Sequence, residues 1–178
     1  MCSDNRAMWA AHADPFSAMV RRVESWQAPS PCDGWSAADV LDHVMETQRE
    51  FFARHGVTMP VQEGSPPEQW AAHEAAVRDA VGDDAVMGAE FESPFGPLAV
   101  GDALRRFYGF DLIVHRWDLA RSQGWDERLT DSEVDEVAAA VDGFGEMAYA
   151  PGIFAGPLTA PEGADAQTVV LAKVGRVA

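Results

Sequence analysis

An aspartate and a histidine share one face of a segment whose periodicity predicts a helix. Asp111 and His115 follow the spacing Asp-x-x-x-His, so a helix places them one turn apart, where both could bind a single ion. Leu112 and Leu119 lie on the same apolar face. Burying a carboxylate without a partner is costly, so this pair needs a counter-charge, hydrogen bonds or a metal. The spacing alone favours a hydrogen-bonded pair in the core over a metal site.

His43 is the best candidate for a third ligand. It lies within one turn of the strongly apolar face of another predicted helix. In helical projection it stands at the edge of that face, which suits a residue beside an open cleft and equally suits an ordinary surface histidine. The other histidines, His12, His55 and His73, lie near helix ends or among polar neighbours and are predicted to be solvated.

A few further side chains near these helices are weaker candidates. Glu46 follows His43 by three residues and is a candidate fourth ligand or base, although a glutamate on a helix surface is usually a solvated residue with no such role. Asp118 and Arg121 are candidates for roles around the ion or the substrate. Cys32 has no base beside it in the sequence, which favours a structural cysteine over a nucleophile.

Apolar periodicity and turn residues predict the elements that must position these side chains. Five helices are expected, at residues 6–26 with Pro15 as a possible interruption, 36–56, 66–81, 102–123, and from 130 to 143 or 145. A crossing loop with a short extended ribbon is expected at residues 85–100. A tail rich in Pro, Gly and Ala follows from residue 150, and a last short turn is expected at 168–174.

Composition narrows the class of protein. A chain of 178 residues with 47% hydrophobic content suits one domain, residues 1–178. The formal net charge of −16 would repel nucleic acid and anionic membrane surfaces. There is no apolar run long enough to span a bilayer and no signal peptide pattern, so we expect a cytoplasmic protein. The two cysteines are too few for a disulfide framework, so a metal must rely on histidines and carboxylates.

Two phrases, taken together, resemble a known family. Residues 31–52 read PCDGWSAADVLDHVMETQREFF, and residues 109–125 read GFDLIVHRWDLARSQGW. This pair resembles the mycothiol-dependent maleylpyruvate isomerase-like branch of the DinB superfamily. Residues 151–177 also look like the actinobacterial metal-binding subgroup of that family, so the resemblance runs from residue 16 to residue 177.

The resemblance implies an all-α fold, a DinB-like four-helix bundle with an additional C-terminal helix or tail. It also implies a divalent metal ion held by His43, Asp111 and His115, with zinc favoured and nickel, iron or manganese as alternatives. The isomerase itself resembles a pattern with glutamate at the position of Asp111, so the shorter aspartate bears on the position or identity of the ion. This chain also ends without the additional C-terminal domain of the isomerase, which puts isomerase activity itself in question.

The function implied is a metal-dependent thiol transferase or isomerase. Mycothiol would be the cosubstrate, and its sulfur would attack a small electrophilic substrate. One alternative is a non-catalytic metal-binding or ligand-binding module for stress response. Another is a structural bundle that pairs as a homodimer, with Asp111 and His115 as an internal polar pair.

Overall fold

The chain folds into a helical bundle with one short β-ribbon. The computed structural model describes residues 2–145, 149 and 156–178. In chain order, the elements are α1 (Cys2–Val20), α2 (Ala37–Arg54), α3 (Pro66–Val81), α4 (Asp84–Met87), β1 (Glu90–Ser93), β2 (Gly96–Ala99), α5 (Val100–Ala103), a π-helical segment (Leu104–Gly109), α6 (Phe110–Ser122), α7 (Asp131–Phe144) and α8 (Ala166–Lys173). The all-α prediction with a short ribbon is confirmed, and β1 pairs antiparallel with β2. The start of the predicted tail, at residues 150–155, lies outside the described residues.

Four helices enclose the main core. α1 packs on α3 and α6, and α2 packs on the same two helices, so the four form a closed ring. Burying one large apolar side chain stabilises a fold by about 1.5–3 kcal/mol. Large side chains in this core include Trp9, Phe16, Leu41, Phe52, Trp70 and Leu104. This packing holds α2 beside α6. None of the helices in the described part of the chain combines the length and apolar character that a bilayer crossing requires.

α6 is buried on nearly every side because two cores share it. Every residue from 112 to 120 is buried. Leu119 faces the main core, whereas Ile113 and Trp117 face a second cluster formed with α7 and α8. A helix enclosed in this way has no solvated face, so a polar residue within it, such as His115, must find its partners inside the protein. The single apolar face predicted from the sequence accounts for only one of the two buried sides.

α2 begins at a capping box. The backbone amide of Ser36 donates to Oδ2 of Asp39 over 2.8 Å, and the backbone amide of Asp39 donates to Oγ of Ser36 over 3.3 Å. The helix predicted over 36–56 is confirmed, with a turn at Gly56, where φ is 82°. The cap fixes the start of α2 and places His43 about two turns into it.

The first helix is shorter than predicted. α1 ends at Val20, and Gln123 binds the chain that follows. Oε1 of Gln123 accepts from the backbone amides of Glu24 and Ser25 over 3.2 and 3.0 Å, and Nε2 donates to the Ser25 carbonyl over 3.0 Å. Pro15 lies inside α1 without ending it.

The helix predicted over 102–123 consists of three consecutive segments, α5, the π-helical segment and α6. A π turn closes its hydrogen bonds over five residues, so it adds a residue to the turn and rotates the chain that follows. Gly109, at its end, is buried, and a Cβ atom there would lie 3.3 Å from the His12 ring. Single π turns occur often at functional sites. This one immediately precedes the turn that carries Asp111.

The histidines predicted to be solvated are at least partly buried, so that prediction is wrong. His73 is fully buried, with its Nε2 2.9 Å from Oε1 of the buried Gln48. His12 is half-buried, and its Nε2 lies 2.7 Å from Oε1 of Glu136, which links α1 to α7. His55 is half-buried among aromatic rings. Their partners come mainly from other elements, which the polarity of the local sequence does not reveal.

Candidate metal centre

His43, Asp111 and His115 meet between α2 and α6. One ligand atom from each residue lies within 4.8 Å of the other two. The ring centroids of His43 and His115 are 5.4 Å apart, and the Trp35 ring lies 4.9 Å from His43 on another side. The structure therefore brings together the three residues singled out from the sequence, and metal binding by them stays a prediction.

The donor set and its spacing fit a divalent ion. Zinc binds imidazole nitrogen and carboxylate oxygen at about 2.1 Å, which places neighbouring ligands of a tetrahedral ion about 3.4 Å apart. Nε2 of His115 and Oδ1 of Asp111 are 3.4 Å apart, longer than a well-formed hydrogen bond. Two imidazoles and one carboxylate also leave at least one coordination position for a further ligand.

Asp118 fixes the orientation of His115. Nδ1 of His115 lies 2.9 Å from Oδ2 of Asp118, whose side chain has no exposed surface. A carboxylate only accepts hydrogen bonds, so Nδ1 carries the proton and Nε2 faces Asp111. Among the weaker candidates from the sequence, Asp118 and Cys32 are the two whose ligand atoms the structure groups with that of His115.

Arg176 neutralises Asp118 and is a residue that sequence reasoning missed. Its Nε lies 3.2 Å from Oδ1 of Asp118, and its Nη2 lies 2.8 Å from Oδ2. Nη1 donates to the carbonyl of Val174 over 2.7 Å, which anchors the guanidinium to its own segment. Arg176 follows α8, far from His115 in the sequence. The one sequence feature that could have identified it is an arginine within a mainly apolar segment.

Burial and charge together set the protonation of the centre. Burial would lower the pKa of His115, but the nearby charge of Asp111 and the hydrogen bond to Asp118 raise it well above 6.5. Burial lowers the pKa of His43, which favours the neutral ring that a metal requires. Burial would raise the pKa of Asp118, but the hydrogen bond from His115 and the charge of Arg176 lower it to about 2. The two carboxylates are therefore balanced by Arg176 and by protonated His115, so a metal ion would have to replace the proton on Nε2 of His115.

The remaining candidates differ in their distance from this centre. Glu46 and Arg121 are exposed and lie outside the group of converging ligand atoms. Cys32 is half-buried beside the centre, with its Sγ 3.4 Å from Oδ2 of Asp118 and 3.2 Å from Nη2 of Arg176. Its position next to two charged side chains distinguishes it from a cysteine enclosed in an apolar core.

Comparison with known proteins agrees with the resemblance seen in the motifs. Residues 6–92 match the family described as the mycothiol maleylpyruvate isomerase N-terminal domain. Two uncharacterised proteins, from two strains of Mycobacterium tuberculosis, are each 27% identical over 146 residues, which cover 78% of this chain and 79% of the relative. No solved structure matches the chain significantly. The predicted resemblance to the mycothiol-dependent maleylpyruvate isomerase family is confirmed over residues 6–92. The family match includes His43, whereas Asp111 and His115 follow it in the chain.

Proposed function

We propose, on the premise that residues 6–92 are those of a mycothiol maleylpyruvate isomerase N-terminal domain, that this chain is a metal-dependent thiol transferase or isomerase. It binds one divalent ion, with zinc favoured, through His43, Asp111 and His115. The observation that carries the proposal is the 3.4 Å approach of His115 Nε2 to Asp111 Oδ1, with the histidine oriented by a buried carboxylate. The whole chain, residues 1–178, acts as one domain.

The side chains of the centre have different roles in binding the ion and activating a thiol. A divalent ion held there supplies a Lewis acid that favours the thiolate form of a coordinating thiol such as mycothiol. His43 would offer a neutral nitrogen, His115 would do so once the ion replaces the proton on its Nε2, and Asp111 would supply the one anionic oxygen. The thiol sulfur forms a bond to an electrophilic carbon of the substrate. In a transfer reaction a leaving group departs, and in an isomerisation the thiol is eliminated again after the substrate rearranges.

An aromatic cleft between the end of α2, the β-ribbon, the π-helical segment and α7 supports a small apolar substrate. Its volume of about 520 Å³ is within the range of small-molecule sites. Phe51 lies about two turns beyond His43 on α2, and its ring centroid is 4.8 Å from that of Tyr108, which precedes α6. The aromatic side chains that line the cleft are Phe51, Phe91, Phe95, Phe107, Tyr108 and Phe144. Such walls favour an electrophile with an aromatic or apolar group.

Metal content is the first test. Untagged protein is expected to contain about one zinc ion per chain, and His115→Ala is expected to lose it, because only two protein donors, His43 and Asp111, would remain. His55→Ala is the matched control, since His55 is half-buried but lies outside the group of ligand atoms. Wild-type protein that takes up no zinc, nickel or manganese would overturn the proposal.

Thiol turnover separates a catalyst from a binding module. Consumption of mycothiol with a nitroaromatic electrophile is expected for the metal-loaded wild type and is expected to be lost in His115→Ala. Metal binding without thiol consumption across a panel of electrophiles would support the non-catalytic module instead.

A further inference from the structure

The guanidinium of Arg176 occupies a pocket lined by three side chains of the kinds that bind metal ions. Cys32, His115 and Asp118 each offer one ligand atom, and these atoms lie within 4.8 Å of one another. The group faces Nδ1 of His115, whereas the proposed metal centre faces Nε2. Nη2 of Arg176 enters the group, 2.8 Å from Oδ2 of Asp118 and 3.2 Å from Sγ of Cys32.

This pocket has the donor chemistry of a second metal site. Thiolate sulfur, imidazole nitrogen and carboxylate oxygen are the ligands that zinc takes in proteins, and sulfur gives the strongest preference for soft ions. His115 belongs to both groups of ligands. An ion bound beside Cys32 would therefore take Nδ1 of His115 and break its hydrogen bond to Asp118, which orients the histidine toward Asp111.

Arg176 is held firmly in this pocket. Its side chain is only 9% exposed, and it donates twice to Asp118 and once to the carbonyl of Val174. A guanidinium keeps its charge throughout the pH range of proteins, so deprotonation cannot remove it. The pocket beside Cys32 thus contains a permanent positive charge where a metal ion would otherwise bind.

We propose that Arg176 is an internal cation that excludes metal from the group of Cys32, His115 and Asp118. It thereby directs the ion to the Nε2 side of His115 and keeps the Cys32 sulfur out of coordination. Arg176 is a positioning residue that sets metal specificity through His115 and Cys32. The location of the wild-type ion at His43, Asp111 and His115 rests on the proposed function. The opening of a thiolate site at Cys32 when Arg176 is replaced does not depend on it.

Cobalt(II) titration tests this role because a thiolate ligand gives cobalt an intense charge-transfer absorption in the near ultraviolet that nitrogen and oxygen ligands do not give. Wild type is expected to bind cobalt without this band. Arg176→Gln keeps an amide that can donate to Asp118 but removes the charge, and it is expected to show the band. Adding Cys32→Ser to that variant is expected to abolish the band, because the sulfur is gone.

Further variants isolate the charge itself. Arg176→Lys retains a cation and is expected to show no band. Arg176→Met removes the charge but keeps a long side chain, so it is expected to show the band and replaces Arg176→Gln if that variant does not fold. Arg116→Gln is the matched control, since it removes another buried guanidinium, one paired with Glu127 and Glu133 rather than with Asp118 and Cys32.

A band in wild type or in Arg176→Lys, or no band in folded Arg176→Gln, would overturn the inference. A wild type that binds no cobalt beside an Arg176→Gln variant that shows the band would count against the proposed function alone.

Discussion

Nδ1 of His115 lies 2.9 Å from Oδ2 of Asp118, and that carboxylate has no exposed surface. The contact fixes the ring so that Nε2 points at Asp111, 3.4 Å from its Oδ1. Partners of this kind orient a histidine ligand and raise its basicity. Arg176 in turn holds Asp118 from a segment at the far end of the chain. The orientation of a predicted ligand therefore depends on a residue that joins the site only when the chain has folded.

Asp118→Asn is expected to weaken zinc binding by about 10-fold to 100-fold, as is typical when the carboxylate behind a histidine ligand is removed. The neutral amide accepts a weaker hydrogen bond from His115 and no longer compensates Arg176. Competition with a chromophoric chelator measures the affinity. Ile113→Val, on the same helix, is the control. It costs about 1 kcal/mol of stability and is expected to leave zinc affinity unchanged. Equal affinities for Asp118→Asn and Ile113→Val would contradict the orienting role of Asp118.

Replacing Asp111 by glutamate and by asparagine separates the effect of its charge from the effect of its side-chain length. Asp111→Glu keeps the carboxylate on a chain one methylene longer and is expected to retain about one zinc ion per chain. Asp111→Asn preserves the shape but removes the anionic oxygen, and we expect at least a roughly tenfold loss of affinity. Metal content by mass spectrometry after dialysis distinguishes the two. Full retention of zinc by Asp111→Asn would return Asp111 to the role of a partner for protonated His115.

The parts of the fold that local chemistry determines were predictable. The capping box at Ser36 and the prolines at the start of α3 gave the correct helix positions, since these signals act within one turn. The spacing of Asp111 and His115 is equally local, so their placement on one face followed from helix geometry. His43 joins them through packing of α2 on α6, for which the sequence offered only an apolar face and a family resemblance.

Contacts between distant segments account for what the sequence did not predict. Arg176 reaches Asp118 only because α8 packs on α7, and α7 packs on α6. His73 looked solvated among polar neighbours, yet it pairs with Gln48 on another helix. Periodicity describes which face of a helix is apolar, but it does not say which other element covers that face.

Ser36→Ala is expected to lower stability without changing metal affinity. The hydroxyl caps the first turn of α2, and the loss of such a cap costs about 1 kcal/mol. His43 lies beyond that turn and is held by packing between α2 and α6, so its position is expected to survive. Urea denaturation measures the free energy of unfolding, and chelator competition measures zinc affinity. A substantial fall in zinc affinity would show that the start of α2 positions His43 more directly than its packing does.

His73 is expected to make the protein less stable in mild acid. Burial lowers its pKa from 6.5 to about 4. Between these values the unfolded chain binds a proton that the folded chain excludes, so the stabilisation is complete above pH 6.5 and is lost as the pH falls toward 4. The full shift corresponds to roughly 3 kcal/mol. The difference in free energy of unfolding between wild type and His73→Gln, measured in urea across this range, isolates the effect, because glutamine does not titrate.

His12 provides a contrast of opposite sign within the same protein. Burial would lower its pKa, but the hydrogen bond and charge of Glu136 raise it above 6.5. Its stabilisation is therefore complete below pH 6.5 and is lost as the pH rises through the folded-state pKa. The free energy of unfolding of wild type minus that of His12→Gln is thus expected to fall with increasing pH. The corresponding difference for His73→Gln is expected to rise between pH 4 and 6.5. If both free-energy differences changed with pH in the same direction, the pKa values of His12 and His73 would not be shifted in opposite directions, which would contradict the prediction.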